Sequence, residues 1–179
     1  RVVARILLFG DDLGGRIVQV AERNRLRRTG LLAGSEDLAV GDTFRTTHRT
    51  LFDADLAAFC NLTWLTEELF TRATGRAEMA LPERVVPAAL VYAFAEGLML
   101  PMMQHTALAF LEADLRVRAP TRVGDTIHVA CEVIEARLSK SRPGRGLVRT
   151  RNRIVKHDGT LAITYTPMRM IKCRDKAAG

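Results

Sequence analysis

The sequence lacks the residue patterns that mark several common classes of protein. Its three cysteines lie far apart and show no CxxC spacing, so the sequence predicts neither a disulfide framework nor a zinc site. The four histidines are scattered, and no pair has the helical spacing of metal ligands. None of the three serines lies in a GxSxG motif,. We therefore expect no metal and no serine-hydrolase mechanism, and the unpaired thiols suit a reducing, cytoplasmic compartment.

Nucleotide-binding loops and membrane spans are also missing. The segment GDDLGG at 10–15 has neither the GxGxxG of a dinucleotide site nor the Lys and Ser or Thr of a phosphate loop,. The longest mostly apolar run, 85–103, contains Glu96 and two prolines. A carboxylate at the centre of a bilayer costs about 2.5 kcal/mol or more. The sequence therefore predicts no cofactor of its own and no membrane partner.

Positive charge is unevenly distributed along the chain. The formal net charge is +7, from 27 Lys and Arg against 20 Asp and Glu. Seven arginines and three acidic residues within 1–31 contribute +4 of that charge. A nucleic-acid-binding domain instead gathers its cations on the docking surface, so we predict no nucleic-acid partner. We assign 1–35 to an N-terminal extension of unknown role and 36–179 to a single folded domain, which is an ordinary domain length.

From residue 40 onward the patterning becomes regular. VGDTFRTTHRT begins with a Gly-Asp turn and then alternates, which predicts a strand that reaches Thr50. Asp53 is the expected N-cap of a short helix that ends near Asn61. The letters VGDT recur at 123–126 and again precede a strand. The different residues that follow the two copies indicate a shared turn chemistry and not a repeated domain.

A long apolar helix is predicted over 86–100. Pro87 suits its first turn and Pro101 its end. Apart from Glu96 and the Tyr92 hydroxyl the helix is apolar on every side, which predicts burial on all faces. Four alternating segments follow within 107–172, joined by short turns that include HDG at 157–159,. The order predicts an α+β protein in which a curved antiparallel sheet wraps around one long buried helix, the arrangement of the hotdog fold.

Four segments of the chain form a familiar combination: GDTF at 41–44, DADLAAFCNLT at 53–63, RVVPAALVYAFAEGL at 84–98 and DLRVRAPTRVGDTIHVACEVIEAR at 114–137. Through these segments the sequence resembles, over 40–172, the MaoC-like branch of the hotdog acyl-thioester hydratases and dehydratases. The resemblance implies an acyl-CoA or acyl-carrier thioester as substrate, with no further cofactor. It also implies a homodimer or a larger hotdog oligomer, with paired sheets and a substrate tunnel at the interface.

Active members of that family carry Leu-Thr-Gly-Asp-x-Asn-Pro-x-His after the first helix, and its Asp and His move protons on water and substrate. Here Trp64 stands at the Gly position, Leu65 at the Asp and Phe70 at the His. Leucine and phenylalanine transfer no protons. Two interpretations stay open: these apolar side chains and Leu69 fill the former pocket, or an acyl group still binds there and other residues perform the chemistry.

Two carboxylates are candidates for that chemistry. Glu67 lies within the altered segment. Glu96 lies in the apolar helix, where an ionised carboxylate is costly unless it is paired. Hotdog thioesterases often begin this helix with His-Gly-Gly and place a catalytic acid nine residues after the His, and Glu96 is nine residues after Pro87. The alternative for Glu96 is a structural carboxylate bonded to the backbone or to the Tyr92 hydroxyl.

Substrate binding is expected from three groups of residues. The free N–H groups that begin the long helix are expected to receive the thioester carbonyl. Cations in the segment SKSRPGRG are expected to bind the phosphates of coenzyme A, whereas the later Arg149, Arg151 and Arg153 are expected to form a solvated outer sheet face. The predicted binding residues are Thr63, Trp64, Ala88, Ala89, Tyr92, Lys140, Arg142 and Arg145.

Three functions follow from these observations. The resemblance favours a hydratase or dehydratase of enoyl or 3-hydroxyacyl thioesters. The position of Glu96 favours a thioesterase that activates water. The loss of the family's acid and base favours a non-catalytic thioester-binding protein or partner subunit.

Overall fold

The alternating segments of the sequence form an antiparallel sheet, as predicted. A computed structural model describes residues 35–103 and 105–173, so the extension assigned to 1–35 lies almost wholly outside the described part of the chain. The strands of the main sheet are β1 (Thr43–Arg45), β2 (Arg49–Thr50), β4 (Ala107–Val117), β6 (Thr126–Leu138), β7 (Arg145–Lys156) and β8 (Leu161–Lys172). Their order is β1-β6-β7-β8-β4, with β2 also paired to β6. A separate pair joins β3 (Val85–Val86) to β5 (Thr121–Arg122).

The first α-helix of the described residues, α1 (Asp53–Thr63), begins as predicted but with a different cap. Phe52 is the N-cap, and its N–H donates to Oδ2 of Asp55 at 2.9 Å. The prediction that Asp53 caps the helix is therefore wrong by one residue. Asp53 is instead the first helical residue, where its negative charge still favours the positive end of the helix.

The two VGDT segments form the same turn. Gly41 and Gly124 have φ of 90° and 93°, a left-handed region that glycine occupies at little cost. In each turn the aspartate accepts a backbone N–H from three residues earlier: Ala39 donates to Asp42 at 2.9 Å and Arg122 to Asp125 at 2.8 Å. The predicted shared turn chemistry is confirmed.

The strand predicted up to Thr50 is divided by a bulge. Arg45 lies opposite Ala130 and Arg49 opposite Ile127, so three residues on one strand face two on the other. Thr46 closes the gap, because its N–H donates to the Val129 carbonyl at 3.0 Å and its Oγ1 accepts the Val129 N–H at 2.9 Å. Bulges of this kind increase local twist.

The long helix, α3 (Ala88–Met103), packs against the sheet. Its buried side chains meet buried residues of β6, β7 and β8 in one apolar cluster. Among the described residues no helix is long and apolar enough to cross a membrane. The main members of the cluster are Leu90, Val91, Ala95 and Met99 of α3, and Ile127, Val129, Cys131, Ile154, Ile163 and Tyr165 of the sheet.

Two predictions about α3 are wrong. The helix is not buried on all faces, because one stripe of residues, Ala89, Ala93, Gly97 and Leu100, is exposed. The helix also continues past Pro101 to Met103. A proline in the last turn removes only the N–H that would bond one turn back, so the helix need not end there.

Strand β4 is an exposed edge. It pairs with β8 along one side, and it is the last strand in the sheet order. Ten of its eleven residues are exposed, including Phe110 at 49%, Leu111 at 48% and Leu115 at 41%. A long apolar edge of this kind is a template for pairing with another strand.

Candidate functional site

The segment that resembles the family's catalytic loop begins where α1 ends. Trp64 caps the helix in the left-handed conformation, with φ of 58°, and its side chain is 86% exposed. The interpretation that Trp64 fills a former pocket is therefore wrong for the described chain. The Thr63 hydroxyl donates to the Phe59 carbonyl at 2.7 Å, so it is already used within its own helix.

A cleft of about 370 Å³ lies beside this segment. It is bounded by α1, by the short helix α2 (Glu68–Thr71) and by the residue before β3. Its floor is apolar, and an ion pair between Arg84 and Asp53 lies at its rim. Phe70, at the position of the resembled family's His, is half-buried in its wall. The lining residues are Asp53, Ala54, Leu56, Ala57, Cys60, Asn61, Phe70, Thr71 and Arg84.

Arg76 fixes the wall of the cleft, and sequence reasoning missed it. Its side chain is 6% exposed, and its guanidinium donates to six backbone carbonyls. Because the acceptors lie both in α2 and in the approach to β3, one side chain ties the two together. No spacing or charge pattern marks this arginine in the sequence. The acceptors and distances are Glu68 at 3.1 Å, Leu69 at 3.1 Å, Arg72 at 2.7 Å, Leu81 at 3.3 Å, Pro82 at 3.1 Å and Glu83 at 3.1 Å.

The start of α3 offers backbone donors a few residues after Arg84, which lies at the cleft rim. The Pro87 carbonyl accepts the N–H of Leu90 at 3.0 Å and that of Val91 at 3.2 Å. The N–H groups of Ala88 and Ala89 precede the first helical bond, and a helix start carries partial positive charge. Arg84, at the cleft rim, is four residues before Ala88, which limits their separation to about 13 Å along an extended chain. This helix start is suited to a carbonyl oxygen that gains negative charge.

Glu96 has a partner that sequence reasoning did not identify. Nη2 of Arg169, in β8, donates to both carboxylate oxygens at 2.6 Å. The Arg169 side chain is 6% exposed and that of Glu96 26%, so the pair is largely removed from water. A water molecule must compete with this guanidinium before Glu96 can act as a base. Glu67, the other candidate, is exposed at the start of α2.

Two tyrosines lie beside the Glu96–Arg169 pair. The rings of Tyr92 and Tyr165 meet edge to face, with centroids 5.0 Å apart. Burial, and then the negative charge of Glu96, raise the pKa of both hydroxyls. Below α3, side-chain polar atoms of Thr150, Asn152 and Tyr165 are buried, and the Tyr165 hydroxyl lies against the Asn152 amide and the Glu96 carboxylate. Thr150, Asn152 and Tyr165 are called the inner polar cluster.

The predicted phosphate-binding cations lie far from the cleft. Lys140 and Arg142 are exposed in the β6–β7 turn, and Arg145 begins β7. Strand β2, which leads into α1, pairs with β6 at Thr126, whereas the turn follows Leu138, roughly 40 Å along the strand. One chain therefore does not bring these cations to its own cleft.

Of the three β7 arginines predicted to form a solvated face, Arg151 is exposed, whereas Arg149 is half-buried and Nε of Arg153 is buried. Arg149 and Arg151 form cross-strand ion pairs. Arg149 lies 2.6 Å from Glu112 and 3.4 Å from Glu135, and Arg151 lies 3.1 Å from Glu132. Within the described ranges, no three His, Cys, Asp or Glu side chains are grouped as metal ligands would be.

No protein-family model and no curated protein matches the sequence. Solved structures do. A MaoC-like dehydratase from Rhodospirillum rubrum superposes with a TM-score of 0.69 and 24% identity, over 79% of this chain and 97% of that one. An (R)-hydratase from A. caviae gives a TM-score of 0.60 and 25% identity, over 78% and 99%.

A third structure decides the fold. A conserved protein of Mycobacterium tuberculosis described as having a double hotdog fold superposes with a TM-score of 0.70 and 23% identity, over 85% of this chain and 47% of that one. The protein has a hotdog fold. The predicted fold is confirmed, and these hotdog neighbours include the kinds of protein that the sequence resembles. At this level of identity, the likeness establishes the fold but not the activity. The activity must be inferred from the geometry of the site.

Proposed function

We propose that this hotdog protein binds acyl-CoA or acyl-carrier thioesters of the enoyl or 3-hydroxyacyl kind, as a protein of the hydratase–dehydratase type. The observation that carries the proposal is an apolar cleft whose rim residue Arg84 is followed, four residues later, by the start of α3 with the N–H groups of Ala88 and Ala89. The cleft suits an acyl chain, and the helix start suits the thioester carbonyl. No other cofactor is needed for such binding, and a cytoplasmic location suits it.

In this proposal each element of the site has a separate task. Ala88 and Ala89 receive the carbonyl oxygen through their backbone N–H groups. Tyr92 lies one turn further along α3 and borders the acyl chain. Trp64 is exposed at the end of α1, where a bound ligand covers it. Arg76 maintains the cleft by holding α2 against the approach to β3.

The second candidate function is a non-catalytic thioester-binding subunit. The apolar side chains of Leu65 and Phe70 at the family's acid and base positions favour it. The thioesterase alternative depends on Glu96, and the Arg169 guanidinium on both of its oxygens makes that alternative weaker. A base needs an accessible lone pair close to the water that it activates.

We further propose that two copies pair through β4. This strand is eleven residues long, and its free edge exposes apolar side chains to water in a single chain. Pairing with a second copy would cover them. Antiparallel pairing of two β4 edges places the β6–β7 turn of one copy at the same end of the dimer as the cleft of the other. Lys140 and Arg142 would then reach coenzyme A across the interface.

Turnover assays test the proposal directly. Purified protein is incubated with crotonyl-CoA and with hexanoyl-CoA, while enoyl absorbance and free thiol are followed. Loss of enoyl absorbance without thiol indicates hydration. Thiol release that Glu96→Gln abolishes indicates a thioesterase. Neither signal, together with calorimetric binding of the thioester, indicates the non-catalytic subunit, and absence of binding refutes all three. Trp64 is the single tryptophan of the sequence, so its fluorescence reports binding at this end of α1.

A further inference from the structure

The cross-strand ion pairs on the outer face of the sheet do not include two of its arginines. Arg149 and Arg151 are paired with glutamates, whereas Arg45 and Arg153 form no ion pair with an acidic residue in the described part of the chain. Nε of Arg153 is buried without a hydrogen-bond partner there. Buried donors in proteins are normally bonded, so this arginine calls for an acceptor that the described residues do not supply.

Ala130 of β6 lies between these two arginines. It is directly opposite Arg45 of β1 on one side and Arg153 of β7 on the other, and directly opposite residues of neighbouring strands project to the same face of a sheet. The spacing of strands places the two arginine Cα atoms about 10 Å apart. Because an alanine side chain fills little of that width, the three residues form a site with two cationic sides and a small side chain at its floor.

Two histidines complete this site. Nη2 of Arg45 lies 2.9 Å from Nε2 of His48 and 3.4 Å from Nδ1 of His128. A guanidinium only donates, so both of these ring nitrogens accept, and the other nitrogen of each ring carries a hydrogen. His128 is 7% exposed, and its Nε2–H has no acceptor among the described residues. Arg45, His48, His128, Ala130 and Arg153 are called the outer basic site.

The chemistry of the outer basic site selects an anion. The N–H groups that its two guanidiniums and two imidazoles have left are all donors, and both arginines keep their positive charge at any ordinary pH. The carboxylate that shares this face of β6, Glu132, lies 3.1 Å from the Arg151 guanidinium, which offsets its charge. Donors that converge from β1, β6 and β7 suit an anion with several oxygens, and the planar fork of arginine matches phosphate.

We propose that the outer basic site binds a phosphate group, either as free phosphate or as the phosphate of a small monoester. The inference goes beyond the proposed function and does not rest on it. Val129 and Cys131, the neighbours of Ala130 in β6, pack in the cluster that includes α3. Because side chains of a strand alternate between faces, the outer basic site lies on the face of the sheet turned away from α3.

Phosphate binding and protonation of His128 should strengthen each other. Burial, then the charge of Arg45 and then His48 lower the pKa of His128 to about 4. A bound anion offsets the charge of Arg45 and so raises that pKa, and by reciprocity the protonated ring holds the anion more tightly. The other charged side chains on this part of the face are Glu132 of β6 and Arg153 of β7, and the residue opposite His128 on β7 is an uncharged valine.

Nuclear magnetic resonance titration of the full chain tests the inference. The ring C–H resonances of the histidines are followed at constant ionic strength, while chloride is replaced by inorganic phosphate, by methyl phosphate or by sulfate. We expect saturable shifts at His48 and His128 with a phosphate dissociation constant of about 1 mM or lower, and no shift at His105. In saturating sulfate, which stays doubly charged from about pH 5 to about pH 8, the pKa of His128 should rise by about one unit or more.

Four variants separate a built site from general attraction of anions. Arg45→Gln and Arg153→Gln should each weaken phosphate binding about tenfold or more. Ala130→Leu changes no charge but fills the floor of the site, and it should abolish binding. Arg137→Gln is the matched control, because it removes the same charge from β6 about 23 Å from Ala130. It should leave the dissociation constant within about twofold of wild type.

The possible outcomes decide the inference. Absence of saturable shifts at His48 and His128 in the wild type overturns it. Binding that Ala130→Leu and both site-arginine variants leave unchanged, or that Arg137→Gln weakens as much as they do, also overturns it, because general charge attraction then explains the shifts. Binding of inorganic phosphate alone supports a site for the free ion, and binding of methyl phosphate as well supports a site for monoesters. The turnover assays test thioester binding separately, so either proposal can fail without the other.

Discussion

At the scale of single residues, His128 is expected to make the stability of the fold depend on pH. Its side chain is 7% exposed, and its Nδ1 lies 3.4 Å from Nη2 of Arg45. The ring of His48, which the bulge between β1 and β2 brings near, lies 5.0 Å from its ring. Burial first, then the charge of Arg45 and then His48, lower the pKa of His128 from 6.5 to about 4.

We expect the free energy of unfolding to fall as pH decreases from about 6.5 to about 4. An unfolded chain keeps the ordinary histidine pKa of about 6.5, so it binds the proton first and gains stability relative to the folded state. Above about pH 7 both states are neutral at this position and the effect vanishes. The loss attributable to His128 reaches up to about 3 kcal/mol.

Urea unfolding at about pH 7 and about pH 4.5 measures this loss. His128→Gln should lose less stability than the wild type between the two conditions. His157→Gln, at an exposed position in the β7–β8 turn, is the matched control and should behave as the wild type does. Equal losses in the wild type and in His128→Gln would contradict the prediction.

Arg76 is the residue on which the cleft wall depends. Arg76→Lys retains the charge but not the planar fork that reaches six carbonyls,. We expect hydrogen exchange of amides in 68–84 to accelerate about tenfold to hundredfold, with β6 and β7 unaffected. Arg72→Lys is the control, because Arg72 is an exposed arginine in the same segment. Unchanged exchange in Arg76→Lys would show that the wall is held by other contacts.

At the scale of elements, the strand patterns were predictable and the exposure of the elements was not. Alternation in 107–117 and 126–138 identifies strands because side chains of a strand point to opposite faces in turn. Alternation does not say what covers each face: β6 buries Ile127 and Val129, whereas β4 leaves Leu111 and Leu115 exposed. The apolar composition of α3 likewise predicts burial on every face. Hydrophobicity alone does not distinguish burial within one chain from burial against a second copy.

The site was predictable only where it is built from one element. The start of α3 follows from Pro87 and the apolar run after it. The Glu96–Arg169 pair joins residues that are distant in sequence, and the inner polar cluster and the carbonyls around Arg76 depend on how the chain folds, so no local spacing records them. The position of Lys140 relative to the cleft was not predictable from the sequence, because it depends on which end of the sheet each loop occupies.

Pairing through β4 gives a prediction at the scale of that strand. Leu115→Lys places a charge on the free edge, where lysine opposes the addition of another strand. We expect the dimer dissociation constant, measured by sedimentation velocity, to rise at least about tenfold. Leu138→Lys, at an exposed leucine at the other end of the sheet in β6, is the control and should not alter it. A wild type that is monomeric, or a Leu115→Lys variant that dimerises equally well, would contradict pairing through this edge.

At the scale of the whole molecule, the parts of the proposed site lie at opposite ends of the sheet within one chain. The cleft and the start of α3 lie near the Thr126 end of β6, and the loop cations follow its Leu138 end. The exposed stripe of α3 and the open edge of β4 are apolar surfaces that a second copy would cover. Dimerisation and thioester binding should therefore be thermodynamically linked.

This linkage predicts that ligand and partner each strengthen the binding of the other by the same factor. We expect a saturating carba-dethia analogue of hexanoyl-CoA, in which a methylene replaces the thioester sulfur, to lower the dimer dissociation constant by about fivefold or more. Conversely, the affinity for the analogue should rise by the same factor as protein concentration passes through the monomer–dimer transition. Leu115→Lys should bind the analogue with the weaker, monomer affinity although residue 115 lies outside the cleft, and Leu138→Lys should bind as the wild type does. An affinity that is independent of protein concentration would show that the site is complete within one chain, and the shared-site proposal would then be wrong.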